Sequence, residues 1–299
     1  MINATSGFAE LLNPAIDRIY LDTRRERPLE FKEVLNVSNM VRQNEQDQEF
    51  AGLGVMPTKP EGQQFTLDQP IAGGNITRTS IPRGLAMEVT FEMWHQDLFG
   101  VMGQMSQELA RSSRNRMEVS AALVFNNAFD GNFAGFDGDA LCSTSHTTPG
   151  GQTIANRPAV DIGLSITGLQ DGIQAFETLV NGRGLPSLLS PSIVLIDPAN
   201  RFVAREILGS SSRPFTANNE INSLVDDELK IFVYHYLTTS TNWFMLANKD
   251  QHDLHFKWMN TPIFDSFDDP RSKNAVFTVY QNHTDGDHGS WRGVYGSTG

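Results

Sequence analysis

Apolar residues recur every three or four positions over one long stretch of the chain and every second position over the stretch just before it. From Asp97 to Ala128, the residues Leu98, Met102, Met105, Leu109, Met117, Ala121, Val124 and Ala128 share one helical face. Asp97 is placed to cap the start and Asp130–Gly131 to stop the end. A single helix over 97–128 is predicted, roughly 48 Å long at 1.5 Å per residue, more than twice the usual globular length. Before it, Leu85, Met87, Val89, Phe91 and Met93 alternate with Ala86, Glu88, Thr90 and Glu92, the pattern of a half-buried strand. A second amphipathic helix is expected over Gly168–Asn181, with Leu169, Ile173, Phe176 and Val180 as its stripe. Thr167 and Gln170 fit a capping box, and Gly182 fits the C-terminal glycine position. The run Ser192–Ile196 reads as a buried strand leading into a helix that Asp197 caps and Pro198 opens. LKIFVYHYL, NWFMLAN, LHFKWMNTPIF, NAVFTVYQNH and the start of SWRGVYGSTG read as further strands.

The flanking patterns are weaker. Residues 1–48 form an arm in which a short helix over Gly7–Tyr20 is interrupted by Pro14, and the charged TRRERPLEFKEV ends any simple helix at Pro28. VRQNEQDQEFAGLG is polar and gives way to glycines. The excursion 49–93 is rich in Gly and Pro, with Gly73–Asn75 as a turn signal. It makes a poor core by itself, since a lone two-stranded hairpin is marginal in water, so it is expected to project and pack on another subunit. The order arm, hairpin, long helix, second helix, then mixed elements and terminal strands points to a segregated α+β fold.

Composition narrows the function classes. With 39% hydrophobic and 19% charged residues, the 299-residue chain is long enough for a well-buried core. A net charge of −12 means that any phosphate-backbone contact must come from local Lys/Arg clusters. One cysteine excludes an intramolecular disulfide. No basic segment followed by an apolar run opens the chain, and no run of about 18 apolar residues suggests a membrane span.

Candidate chemistry is sparse. Cys142 and His146 share the loop GDALCSTSHTTPGG, where a nucleophile–base pair or half a zinc site would lack the fixed geometry or further ligands such chemistry needs. NHTDGDH (Asn282–His288) lacks the calcium-loop pattern and reads as a turn around Gly286. His252 and His255 fall on opposite faces of a strand, and Asp268 and Asp269 precede a proline in a turn. The basic clusters are Arg24, Arg25 and Arg27 in the arm and Arg111, Arg114 and Arg116 mid-helix, candidates for inter-subunit or DNA-facing charges. No catalytic, cofactor or metal constellation emerges. An arm, a projection and a long helix can bury their apolar faces only against other copies.

This order of elements resembles the major capsid protein of tailed bacteriophages, the Hong Kong ninety-seven type fold. Four stretches resemble the Mu-like major head subunits more closely: SRNRMEVSAALVFNNAFDG, DGDALCSTSHTTPGG, PSIVLIDPANRFVAREILGS and WRGVYGSTG. The family's D-G-x-A-L-x-S-x-x-H loop stands here as Asp137, Gly138, Ala140, Leu141, Ser143 and His146. The resemblance implies an N-terminal arm (1–48), an extended β-hairpin loop (49–93) and a peripheral domain (94–185 and 253–288) with spine helix 97–128. An axial domain (186–252 and 289–299) completes it. It implies a shell subunit, not an enzyme, that forms hexamers and pentamers of the icosahedral phage head around double-stranded DNA. The implied partners are further copies, a separate scaffolding protein (no long segment precedes the arm), a portal and a decoration protein. DNA contact would be weak and non-specific, with no membrane involved. Synthesis and assembly would take place in the bacterial cytoplasm, and the mature location would be the virion. Some relatives cross-link a loop lysine to an asparagine. Lys59, the one lysine of the excursion, has no accompanying partner motif, so that chemistry is not expected. The alternatives are an encapsulin-like shell with protein cargo and a hydrolase built on Cys142, His146 and the His283–His288 turn.

Overall fold

The computed structural model describes residues 18–90, 92, 93, 100–214, 221–268, 272 and 274–299. Most of the Gly7–Tyr20 helix, the expected spine start at Asp97 and the carboxylate Asp269 lie outside the described residues.

Residues 18–25 are helical, and Phe31–Val34 forms a single turn, α1. The strand β1 (Asn36–Asn39) and the hairpin strands β2 (Asn44–Ala51) and β3 (Ile71–Thr79) follow. Next come β4 (Ile81–Val89) and the spine helix α2 (Val101–Asn126), 26 residues and so roughly 39 Å long. β5 (His146–Thr147), β6 (Thr153–Ile154), α3 (Ile166–Glu177), β7 (Ile193–Ile196) and α4 (Arg201–Gly209) lead to β8 (Lys230–Val233) and β9 (Trp243–Leu246). β10 (Leu254–Asp268), β11 (Ala275–His283), β12 (Asp287–His288) and β13 (Val294–Ser297) close the chain.

Two sheets carry the fold. One orders its strands β1-β10-β11-β4, with β12 also on β10, and is antiparallel except for the β1/β10 pair. The other runs β13-β9-β7-β8, with β7 and β8 parallel across the α4 connection. In this second sheet the period-two alternation splits two cores. Leu195, Phe244 and Leu246 face the spine residues Met117, Ala121 and Phe125, whereas Val194, Ile196, Trp243 and Met245 pack with Leu169, Phe176, Ala204 and Ile207 of α3 and α4. A third core joins Tyr20, Leu109 and Ala110 to Val89 of β4 and Phe277 and Val279 of β11. The spine is thus the common wall of the first and third cores.

Several local expectations change. The polar NEQDQEFA, poor in β-formers, is a strand, because β3 supplies its antiparallel partner from Asn44↔Thr79 to Ala51↔Ile71. Gly73–Asn75 is therefore mid-strand and not a turn. Gly74 is required there because a Cβ would collide with the carbonyl oxygen of Phe136. The alternating strand occupies Ile81–Val89 and pairs with β11, so it belongs to the five-stranded sheet. The spine ends at Asn126, before the Asp130–Gly131 signal, where Asn127 leaves helical geometry. Helix α3 begins earlier than Gly168, because Ser165 caps it by accepting from Gly168 N at 3.1 Å, not Thr167. It also ends at Glu177, short of Gly182. Thr178 Oγ1 bonds back to Gln174 O at 2.8 Å, and Val180 pairs with Pro186 across a tight turn. Asp197 caps as expected, accepting from Ala199 N at 2.8 Å, but over a 3-10 turn, Pro198–Asn200, that precedes α4.

Candidate functional site

The loop after the spine does not form a Cys–His pair. Cys142 is buried in the first core, its N–H bonds Ala128 O at 2.7 Å, and burial pushes its thiol far above the ordinary range. Both nitrogens of His146 are engaged elsewhere: Nδ1 is 2.6 Å from Asp137 Oδ2, and Nε2 is 2.9 Å from Asn156 Oδ1. The imidazole also stacks on Trp291, with centroids 4.3 Å apart. This buried group of Asp137, His146, Asn156 and Trp291 ties the loop to the C-terminal segment. The sequence signal for it was the Asp137-to-His146 spacing within one polar loop. Nothing local could reveal that Asn156 and Trp291 complete it.

The Asn282–His288 stretch ends β11 and bends at Gly286 into β12, the strand-to-strand turn expected around that glycine. Gly286 N donates to Ser120 O of the spine at 2.8 Å, and a Cβ at Gly286 would clash with Ala121 O. The acids of the turn serve arginines. Asp285 bonds Arg83 at 2.5 Å, and Asp287 accepts from Arg78 Nε at 2.7 Å. His252 and His255 are not joint ligands. His252 is buried and held neutral by burial, with its pKa lowered to about 4, while His255 Nε2 lies 2.5 Å from Asp253 Oδ1. Asp268 is the last residue of β10, and the rest of the turn expected there lies outside the described residues.

Sequence reasoning missed the root of the β2/β3 hairpin. There Arg78, nearly wholly buried, bonds Asp47 across the hairpin and Asp287 of β12. Lys257 Nζ reaches Glu45 and Asp47, each at 3.2 Å, and Arg292 Nη1 reaches Glu49 at 2.6 Å. Arg183 holds the start of the loop through Gly52 O and Asp68, both at 2.8 Å. The alternating charges of NEQDQEFA were the available signal, because every second residue of a strand faces the same way. Beyond this root, residues 52–70 lack regular structure and expose Val55 at 73%, Met56 at 90%, Phe65 at 80% and Leu67 at 92%. Such a patch is unusual for a monomer and marks an interaction surface.

The six candidate arginines split into separate groups. Arg114 donates to Pro28 O at 2.6 Å, which brings it to the arm beside Arg27, and both lower the pKa of Tyr236 through their charge while burial raises it on balance. Arg24 donates to Pro262 O, and Arg25 and Arg27 are exposed. Arg111 pairs with Glu108 on its own helix at 2.6 Å, and Arg116 turns to the opposite side, 4.0 Å from Asp285. The arm–spine contact itself rests on a carboxylate. Glu118 accepts from Glu30 N at 2.6 Å and Phe31 N at 3.3 Å, with its pKa raised by burial.

No curated protein matches the chain's sequence. Solved structures match it in fold. The capsid of Cyanophage P-SCSP1u aligns with a TM-score of 0.58 at 11% identity, covering 91% of this chain and 88% of that one. The procapsid of bacteriophage JBD30 aligns at 0.53 and 15% identity, covering 99% and 76%. The virus-like particle from Pyrococcus furiosus aligns at 0.51 and 9% identity, covering 94% and 97%. A family model described as phage capsid protein matches residues 76–297, from within β3 to the last strand, and the chain belongs to that phage capsid protein family.

Proposed function

We propose that this chain is the major capsid subunit of a tailed phage, building the icosahedral head shell around the double-stranded DNA genome by repeated self-association. The observation that carries the reading is the family match over residues 76–297, joined to a hairpin whose loop leaves Val55, Met56, Phe65 and Leu67 largely exposed. The work is mechanical. Many modest interfaces act together, so that each contact need supply little for the particle to be durable. On this reading the hairpin is the extended loop and the spine with the five-stranded sheet forms the peripheral domain; α3, expected within the peripheral 94–185, packs on the β13-β9-β7-β8 sheet and is assigned with that sheet and α4 to the axial domain.

Finer features of the reading are also ours. The chain is of the Mu-like head-subunit type, on the strength of its four matching stretches. It assembles in the bacterial cytoplasm with a scaffolding protein, a portal and a decoration protein, and it performs no catalysis. The burial of Cys142 and the prior engagement of His146 support the last point. Of the six candidate arginines, Arg25, Arg27, Arg111 and Arg116 are exposed and so available to a neighbouring subunit or to DNA. Negative-stain microscopy of the purified chain, alone and with its scaffolding protein over a range of salt, tests the proposal. Closed shells are expected, and a chain that stays monomeric under every condition refutes it.

A further inference from the structure

Between the spine and β4, the last strand of the five-stranded sheet, lies a cavity of about 470 Å³. Its walls carry two guanidinium groups, Arg83 of β4 and Arg116 of the spine. Ser112 is exposed on the same wall as Arg116, one helical turn before it. Leu85, Leu109 and Val279 supply apolar lining between these polar groups.

The two cations share one carboxylate. Asp285 Oδ1 bonds Arg83 Nη2 at 2.5 Å and lies 4.0 Å from Arg116 Nη2, so a single oxygen faces both. That long contact is the only ion pair of Arg116 among the described residues, and its side chain is 46% exposed. His283 Nδ1 lies 3.1 Å from Arg83 Nη1, but burial holds this imidazole neutral, with its pKa lowered to about 4. The spine acids are engaged elsewhere: Glu108 bonds Arg111 at 2.6 Å, and Glu118 accepts from the arm backbone. One positive charge in the cavity is therefore left unbalanced. The excess registers on Arg83, where burial lowers the pKa, Asp285 opposes that, and the Arg116 charge adds to the lowering.

The placement of the donors favours a tetrahedral anion. Arg83 sits on a strand and Arg116 and Ser112 on a helix, so their N–H and O–H groups converge from two elements. The oxygens of a phosphate point in different directions and can meet donors that converge in this way. A carboxylate, with two oxygens in one plane, suits a single guanidinium fork. A phosphodiester also carries one negative charge, which balances the cavity and leaves no second charge to be accommodated.

We propose that this cavity binds a phosphate group, with Arg116 and Arg83 facing its charge and Ser112 donating a hydrogen bond. Inorganic phosphate and the phosphodiester backbone of DNA share this chemistry. DNA is the expected source, and that choice alone rests on the shell reading. Contact of this kind carries no sequence information and weakens with salt. The net charge of −12 on the whole chain repels DNA elsewhere, so the contact stays local.

The test titrates the full, unassembled chain in low-salt buffer against two probes. Inorganic phosphate is followed by phosphorus NMR, and a fluorescein-labelled duplex of about 24 base pairs by anisotropy over a range of salt. Saturable phosphate binding is expected, weakened at least about fivefold by Arg116→Gln. Arg205→Gln, which removes an equal charge from the exposed face of α4, should leave it unchanged. Duplex binding should weaken in the same variant, with its logarithmic salt slope reduced by about 0.9. Phosphate bound without duplex keeps the site and excludes DNA as its source. No saturable binding of either probe overturns the proposal, and so does an equal loss in both variants. Acetate displacing phosphate as well as sulfate does also overturns it, since the cavity would then be a carboxylate dock, and this competition decides alone if Arg116→Gln fails to fold. Shells seen by negative stain without phosphate binding sink this proposal alone, whereas phosphate binding by a chain that never assembles sinks only the shell reading.

Discussion

Removing the guanidinium of Arg78 gives the sharpest measure of what holds the hairpin to the body. The side chain of Arg78 is 2% exposed, and it serves Asp47 of β2 and Asp287 of β12 together, whose side chains are 40% and 27% exposed. A fully buried pair broken on one side costs about 3–5 kcal/mol, and an exposed pair contributes at most about 1 kcal/mol. Here the buried partner is the cation, and the acids left behind keep some access to water. Arg78→Met should therefore cost about 2–3 kcal/mol, between those limits. Loss of Arg78 also removes the charge that opposes burial in setting the raised pKa of Asp287, so part of the cost is relieved by protonation of that acid as pH falls. At about 1.4 kcal/mol per tenfold, the local opening equilibrium rises roughly 30- to 150-fold. Hydrogen exchange by mass spectrometry on the unassembled subunit reads this directly. Amides of Asn44–Ala51 and Ile71–Thr79 should lose protection by that factor, while β7 and β9, in the other sheet, should not change. A change under about threefold in the hairpin, or an equal loss in β7 and β9, would show that Arg78 does not anchor this element.

Three further outcomes follow from single sites. Gly74→Ala places a methyl against Phe136 O, so the hairpin must shift off the 134–138 loop; shell yield should fall sharply, and Gly131→Ala, where a Cβ meets nothing, should assemble normally. Cys142 should resist a thiol reagent such as dithiobis-nitrobenzoate in the native subunit and react on unfolding, and fast native labelling would contradict its burial. Buried His252 and His283 are held neutral, with pKa values lowered from 6.5 to about 4 mainly by desolvation. Around them, Lys249, His255 and Asp253 act on the first, and Arg83, Arg116 and Asp285 on the second. Between those pH values the unfolded chain binds more protons than the folded one, so stability is full above about 6.5 and falls toward 4, by up to about 3 kcal/mol per histidine. Urea midpoints of the unaltered chain and His283→Gln across that range measure it, and parallel pH profiles for the two would refute the assignment.

The long helix, the alternating strand before it and the Asp197–Pro198 helix start were legible because each rests on a local period or cap. The helix is a wall of two cores, so its stripe had to recur over its whole length. β2 was not legible, since its polar sequence becomes a strand only through β3 and through ion pairs to residues more than two hundred positions away. The Gly73–Asn75 signal misled for a related reason. Glycine there answers a close approach by Phe136, a tertiary demand that imitates turn chemistry in one dimension. At the candidate site, the Asp137–His146 pair lies within ten residues and was visible as a family-typical stretch, whereas Asn156 and Trp291 arrive from elsewhere in the chain.

The hairpin divides its chemistry in a way that bears on assembly. Its root is polar and heavily paired, through Arg78, Lys257, Arg292 and Arg183, while its tip is apolar and exposed, through Val55, Met56, Phe65 and Leu67. An apolar root would bind more strongly per unit area but would fix direction poorly, because apolar burial is non-directional. Charge-assisted hydrogen bonds do fix direction. Holding the root in one orientation reduces the entropy that the loop must lose when its tip meets a partner, so more of the tip's burial appears as net affinity. If so, neutralising the root should weaken assembly even though no root residue belongs to the apolar tip. Arg78→Met subunits should need a higher critical concentration to form shells, and Arg78→Lys, which keeps the charge but loses the fork, should fall between the two. Equal critical concentrations for all three would mean that the tip finds its partner without help from the root.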